Sequence, residues 1–332
     1  MTDLAGLINQ FPRNRIAVIG DLMLDEYLWG HIERISPEAP VPILNVIRRS
    51  STLGGAGNVA ENLRSFEVQV SVFGVVGEDQ TGQQVLDLLR SHGADIAGVI
   101  SDPPRKSTRK ARLMSLEHGQ QVFRLDEEST AALDQEIEEK LIGMIHAMNN
   151  GVQAIVCSDY LKGVLSERVL ASAFAVARKR GIRSIVAPKD SLPEKYNGAH
   201  VLMPNSRELM QLSASKMDRN SSMEGAAAGL MEKLSLEGLV VTRGSEGMSL
   251  FEKKGSELRR VDIATTARSV YDVTGAGDTA IAAFAAAVAS GSDLESAAHL
   301  ANITAGIKVG KRGTASVSLE EIRLSLKAEQ QQ

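Results

Sequence analysis

Asp272-Val-Thr-Gly-Ala-Gly-Asp278 runs directly into Thr279-Ala-Ile-Ala-Ala-Phe-Ala-Ala-Ala-Val-Ala289, which joins a glycine turn, a helix start and a carboxylate in one short stretch. Gly275 and Gly277 open backbone conformations closed to other residues. The alanine-rich run behind them predicts a helix whose first N–H groups point back at the turn. Such a helix end attracts anions. An aspartate at the mouth of an anion site is repelled by a bound phosphate, so its use there is chemical: Asp278 can take a proton from an attacking hydroxyl. The same residues also fit a plainer arrangement, a glycine C-cap followed by an Asp N-cap.

Outward from this joint, short β-branched runs recur at 15–19, 70–76, 154–157, 184–187, 201–203 and 239–242. The segments 80–92, 133–149, 166–180, 222–235 and 293–309 carry apolar residues at three- and four-residue spacing. The alternation predicts an α/β fold with a mainly parallel sheet covered on both faces. Ligand sites then belong at the carboxyl ends of strands. Residues 26–49, with Pro37, Pro40 and Pro42, and residues 105–125 break the rhythm and read as antiparallel ribbon outside the main sheet. Such a ribbon is either a lid that excludes water or an ordinary surface hairpin. No internal repeat is visible, and the terminal Glu329-Gln-Gln-Gln332 reads as a disordered tail.

With 332 residues the chain can hold one large α/β domain or two small ones, and 43% hydrophobic content is ample for a core. A net charge of −4 and short, scattered basic clusters argue against a nucleic-acid surface. The single cysteine, Cys157, sits among apolar neighbours as a buried strand residue and rules out an intrachain disulfide. No window approaches the length of a membrane span and no secretion signal precedes Pro12, so the cytoplasm is expected. The six histidines form no metal-ligand spacing.

Other motifs carry chemistry less specifically. Leu53-Gly-Gly-Ala-Gly-Asn58 precedes a helical pattern from Val59 to Phe66 and lacks the Lys-Ser/Thr of a phosphate loop. Gly54 and Gly55 would let the backbone approach a polar ligand, with the Asn58 amide addressing hydroxyls. Asp21 and Asp25 follow the first strand; paired carboxylates suit polyol or metal binding, and equally turn chemistry. In Pro204-Asn-Ser-Arg-Glu208, Asn205 and Glu208 fit a capping box or the orientation of a hydrated Mg²⁺ beside phosphates. Thr242-Arg-Gly-Ser-Glu-Gly247 could wrap a nucleotide or turn a hairpin, and Asn302 could face the same cleft or lie on a helix surface.

Taken together these peptides resemble the ribokinase-like, PfkB-type carbohydrate kinases. Both signature regions are present in order, Gly54-Gly-Ala-Gly-Asn58 with Ala60 and Asp272–Asp278, and the likeness runs from about residue 11 to 320. Gly20-Asp-Leu-Met-Leu-Asp25, Arg34-Ile-Ser-Pro-Glu-Ala-Pro-Val-Pro42, Gln120-Gln-Val-Phe-Arg-Leu-Asp126, Ser158-Asp-Tyr-Leu-Lys-Gly163 and Val309-Gly-Lys-Arg-Gly-Thr314 narrow it to the D-glycero-β-D-manno-heptose 7-phosphate kinases. That resemblance implies a single kinase domain over residues 1–330, a three-layer fold and a small β-ribbon lid. It implies transfer of the ATP γ-phosphoryl group to the C1 hydroxyl on the route to the ADP-heptose of lipopolysaccharide cores. ATP and Mg²⁺ are the implied cofactors, a monovalent cation is an open addition, and pairing of lids between subunits implies a homodimer.

Residue by residue, Asp278 resembles the catalytic base and the backbone of Gly275, Ala276 and Gly277 the anion hole. Asn205, Ser206, Arg207 and Glu208 resemble the ATP and Mg²⁺ element, with Glu208 holding the metal through water; Thr242, Gly244, Gly247 and Asn302 resemble nucleotide contacts. Asp21, Asp25, Gly54, Gly55, Asn58 and Asp159 are candidates for the sugar hydroxyls, and Lys110, Arg112, Arg124 and Lys162 for the 7-phosphate, which needs cations or amide donors. Two positions depart from the family pattern: Ala187-Pro-Lys189 replaces a common Asp-Pro-Lys, and Gly57 stands where alanine is frequent. The adenylyltransferase domain of bifunctional relatives, with its His-x-Gly-His motif, is not found, so a stand-alone kinase or a kinase half is expected.

Overall fold

The computed structural model describes residues 3–117, 119–213, 222–255, 257–267, 269–311 and 315–330, the side chains of 329 and 330 excepted. Thirteen strands occur among them: β1 (Arg15–Gly20), β2 (Leu22–Ile35), β3 (Pro42–Gly55), β4 (Gln69–Gly77), β5 (Asp95–Asp102), β6 (Thr108–Ser115), β7 (Gln121–Glu127), β8 (Ala154–Ser158), β9 (Arg183–Ala187), β10 (Val201–Leu202), β11 (Gly238–Thr242), β12 (Met248–Lys254) and β13 (Glu257–Ile263). The helices are α1 (Leu4–Ile8), α2 (Ala56–Ser65), α3 (Gln80–Ser91), α4 (Gln135–His146), α5 (Glu167–Arg180), α6 (Ser206–Ser213), α7 (Met223–Leu234), α8 (Ala276–Ala289), α9 (Leu294–Val309) and α10 (Leu319–Gln330).

The main sheet has nine strands in the order β13-β12-β11-β10-β9-β8-β1-β4-β5. It is parallel from β5 to β11, and β12 and β13 add an antiparallel edge. Its central strands show why continuous apolar runs become strands buried on both faces. Along β1, Ile16 and Val18 enter one core with α2, α8 and α9, while Ala17 and Ile19 enter another with α4, α5, α6 and α7. Ala154 and Val156 against Ile155 and Cys157 repeat the division on β8. Helix starts are fixed by side-chain caps: Asp79, Ser166, Ser222 and Asp293 each accept an amide of the first turn.

The two segments that break the alternation form a second sheet, β3-β2-β6-β7. β2 and β3 pair antiparallel over long runs, β6 joins β2 in parallel, and β7 closes the edge antiparallel to β6. Its strands begin earlier and end later than the sequence suggests, because β2 and β3 run into the main body at Leu22 and Gly55. The expected tail is helical through Gln330, and Gln331 and Gln332 lie outside the described residues, as do residues 312–314 of the Val309–Thr314 peptide. β5 and β13, both adjoining or forming a sheet edge, are strands the sequence reading does not contain. No helix among the described residues is long and apolar enough to cross a membrane.

Candidate active site

Gly275 opens α8 with φ +74°, so it caps the helix start and Asp278 becomes the third helical residue, which removes the alternative of an Asp N-cap. Unlike α3, α5, α7 and α9, α8 has no side-chain cap on its first turn. The Ala276 N–H is taken by the Val273 carbonyl at 3.2 Å, which leaves Gly275 and Gly277 as the better anion donors of the expected trio. The positive φ at position 275 favours glycine, and a Cβ there would stand 2.8 Å from Asn58 Nδ2 and push that amide aside.

Asp278 is only 9% exposed. Tyr160 Oη donates to its Oδ1 at 2.8 Å and Asn58 Nδ2 to its Oδ2 at 2.7 Å. Burial pushes its carboxyl up to about 6; Asn58, Tyr160 and the more distant Lys189 pull it back, and Asp25 pushes it further up. Asn58 is itself held, because Asn62 Nδ2 donates to its Oδ1 and Thr279 Oγ1 donates to Asn62 Oδ1. The Gly54–Asn58 loop therefore reaches the base directly. Gly54 and Gly55 line neither cavity described below: a Cβ on Gly54 would meet Met23 and Asp25, and one on Gly55, at φ +57°, would meet the Asp21 carbonyl. Their close approach is to β2.

Two cavities meet at α8. The first, about 180 Å³, is lined by Asp159, Tyr160, Ala187, Lys189, Asn205, Glu208, Thr242, Gly275, Gly277 and Asp278 among others. The second, about 350 Å³, is mostly apolar and lies among Thr242, Gly244, Gly247, Met248, Val270, Val273, Ala276, Ala280, Asn302 and Val309. Thr242 and Gly277 border both. Asn302 is turned inward, its Nδ2 donating to the Ala264 carbonyl at 2.7 Å. Asn205 and Glu208 form the reciprocal capping box, each backbone amide donating to the other's side chain at 2.9 Å, and Lys189 Nζ reaches Glu208 Oε1 at 2.7 Å. Ser206 Oγ donates to the Thr242 carbonyl; Arg207 is exposed and lines neither cavity.

Several expected sugar and phosphate contacts are engaged elsewhere. Asp21 is buried and receives the amides of Tyr160, Lys162 and Val164, so it fixes the 160–164 loop. Burial raises its carboxyl and those three amides pull it down. Asp159 takes the Leu161 amide on one oxygen and Lys195 Nζ and Tyr196 Oη on the other. On the second sheet Asp25 pairs with Arg112 at 2.7 Å and Arg124 with Asp126 at 2.8 Å, and in the loop after β8 Lys162 approaches Glu128, just past β7, at 2.8 Å. Lys110 stands in register with Asp25 and Asp126 and places its ammonium 5.9 Å from the Tyr160 ring centre. Burial lowers its pKa and Asp25 raises it.

Tyr160, Lys189, Asn62 and Thr279 are the residues that sequence reasoning missed. Tyr160 and Lys189 stood inside quoted peptides, and only their position just after β8 and β9 marked them. Asn62 falls four residues after Asn58 on the same helix face, a spacing that would have found it.

Comparison with known proteins shows the family and the fold. The model of the pfkB family carbohydrate kinases matches residues 13–322. The Bifunctional protein HldE of Geotalea uraniireducens is 44% identical over 320 residues, 96% of this chain and 64% of that one. The Bifunctional protein HldE of Geobacter sulfurreducens is 45% identical over 322 residues, 97% of this chain and 64% of that one. The chain thus spans somewhat under two thirds of these curated relatives. Among solved structures, Escherichia coli phosphofructokinase-2 in complex with potassium superposes with a TM-score of 0.76 at 19% identity, covering 95% of this chain and 98% of that one. Arabidopsis thaliana ribokinase complexed with ribose and ATP gives 0.71 at 18% identity with the same coverage. The fold is ribokinase-like, and the chain belongs to the pfkB family of carbohydrate kinases.

Proposed function

We propose that the chain is an ATP-dependent kinase of D-glycero-β-D-manno-heptose 7-phosphate, acting on the C1 hydroxyl to give the 1,7-bisphosphate. The observation that carries the transfer chemistry is Asp278. A buried carboxylate with a pKa near 6 stands at a helix start that has no side-chain cap, where a polar and an apolar cavity meet. The apolar cavity suits a nucleobase, and the polar one suits phosphates and the acceptor hydroxyl.

In the reaction the acceptor oxygen bonds to the γ-phosphorus, the bond to the β-phosphate oxygen breaks, ADP leaves with the electron pair, and Asp278 takes the hydroxyl proton. A base with this pKa is ionised at neutral pH yet more basic than an ordinary aspartate. The α8 end and the Lys189 ammonium compensate charge on the transferring group, and positioning with electrostatics supplies most of the rate. Asn205 and Glu208 fit Mg²⁺ as a water-mediated pair: Glu208 already receives an amide and an ammonium, so it suits a hydrated ion better than a direct cage. When bound, that ion neutralises phosphate charge.

The second sheet serves as the lid, and Lys110 is the best-supported 7-phosphate ligand. Arg112, Arg124 and Lys162 each have a carboxylate partner, whereas Lys110 is held against the Tyr160 ring beside the base. Exposed Val46, Phe123 and Leu125 on this sheet support a homodimer through it. A cytoplasmic enzyme supplying ADP-heptose for lipopolysaccharide cores is the setting that fits. Ala187, a methyl lining the polar cavity, favours a second reading, a kinase of another sugar phosphate. Steady-state kcat/KM for heptose 7-phosphate, hexose 6-phosphates and pentose 5-phosphates with ATP decides between them. A preference of tenfold or less for heptose 7-phosphate would overturn the first.

A further inference from the structure

We propose that Tyr160 is a positioning residue for the base: its hydroxyl clamps one oxygen of Asp278, and its ring ties that clamp to Lys110 of the second sheet. The inference rests on Asp278 as the base and on no particular sugar. Tyr160 follows β8 in a loop whose amides at 160, 162 and 164 are gathered by the buried Asp21, so its backbone is held before any ligand arrives. From there its Oη reaches Asp278 Oδ1 at 2.8 Å, while Asn58 holds Oδ2 at 2.7 Å from the opposite element. Two donors on two oxygens fix the plane of the carboxylate and leave each oxygen a further lone pair for the acceptor hydroxyl.

The ring carries the second half of the inference. Lys110 Nζ and Lys189 Nζ lie 5.9 and 6.0 Å from its centre, one ammonium from the second sheet and one from the segment after β9. A cation near an aromatic ring is attracted to it and polarises the attached hydroxyl towards stronger donation. Tyr160 therefore touches the base, the second sheet and the polar cavity at once. A shift of Lys110 towards a substrate phosphate would be felt at the clamp.

The charged groups that face Asp278 are Asp25 on β2, Lys189 after β9 and Lys308 on α9, with Glu208 on α6 facing Tyr160. None of them changes in Tyr160→Phe, which deletes one oxygen and keeps the ring and its cation contacts. Losing a donor to the ionised form raises the pKa of the acid. The full chain labelled with ¹³C-aspartate gives a direct reading, the Asp278 carboxyl resonance being assigned by its absence in Asp278→Asn. In Tyr160→Phe its midpoint is expected to rise by about one pH unit. The low-pH limb of the kcat profile should move with it, kcat should fall about tenfold, and KM for ATP should stay within about twofold.

A midpoint within about 0.2 unit of wild type would overturn the clamp, whatever the sugar. Should Tyr160→Phe fail to fold, 3-fluorotyrosine at position 160, a stronger donor of nearly the same shape, is expected to lower the midpoint, and an unchanged one would equally overturn the proposal. If wild-type protein fails to phosphorylate every sugar phosphate tried, the substrate reading falls, and the resonance still tests Tyr160.

Discussion

Replacing Asp278 by asparagine should separate catalysis from stability. The carboxyl has an ordinary value of 3.8 and is pushed up to about 6 by burial. A folded pKa above the unfolded one means that the native state binds more protons than the unfolded state between those values, so stability falls as pH rises through that window. Below about 4 both states are protonated and the group contributes nothing. Above about 6 the full cost is present, and an interval of about two pH units corresponds to about 3 kcal/mol. A neutral side chain of the same shape avoids that cost, since asparagine can accept from Asn58 with its oxygen and donate to the Tyr160 oxygen with its amide.

Asp278→Asn is therefore expected to be more stable than wild type by about 1–3 kcal/mol at pH 7.5, and equal to it near pH 4. Turnover should drop by about 10²–10⁴, with ATP affinity unchanged. Urea unfolding of both proteins at the two pH values, with equal m-values, reads the first part; steady-state kinetics and ATP titration read the second. The electrostatic reasoning would be refuted by a variant less stable than wild type at pH 7.5, or by a stability difference that does not close on acidification. Near-normal turnover would remove Asp278 from the role of base.

Three other substitutions or reagents test neighbouring claims. Lys110→Ala should raise KM for a phosphorylated sugar at least tenfold and leave KM for ATP unchanged, because its ammonium stands on the second sheet 5.9 Å from the Tyr160 ring centre; equal effects on both substrates would move Lys110 out of the sugar site. Asp21→Asn, which cannot accept all three amides of the 160–164 loop, should cost about 1–3 kcal/mol and lower turnover through the displaced Tyr160. Wild-type stability by urea unfolding would contradict that account. Burial of Cys157 pushes its thiol well up, so a thiol-specific reagent should find no reactive group in the native protein at pH 8 and one after unfolding.

What the sequence made legible follows from which forces are local. The six β-branched runs and five helical patterns became strands and helices with ends within about three residues, because each strand is buried on both faces and the helices pack on the sheet. β5 and β13 escaped because strands at a sheet edge are only partly buried, and their sequences, Asp95-Ile-Ala-Gly-Val-Ile-Ser-Asp102 and Glu257-Leu-Arg-Arg-Val-Asp-Ile263, carry neither a continuous apolar run nor a strict alternation. The site divides in the same way. Gly275, Asp278 and Asn58 were visible because a positive φ and a helix start leave a local signature. The partners of the second group are set by tertiary approach: Asp21 looks like a free ligand until the 160–164 loop is folded onto it. Lys110 and Arg112 are indistinguishable in sequence until one of them pairs with Asp25. Tyr160 lacks even a local signature: from a loop it touches a carboxylate 118 residues away, with no positive φ or helix start of its own to mark it. No periodicity or spacing connects residues brought together only when the loop after β8 meets the start of α8. The consequence for the mechanism is that the base is identified by local geometry, while its basicity is set by burial and by four separate parts of the chain, at Asp25, Asn58, Tyr160 and Lys189.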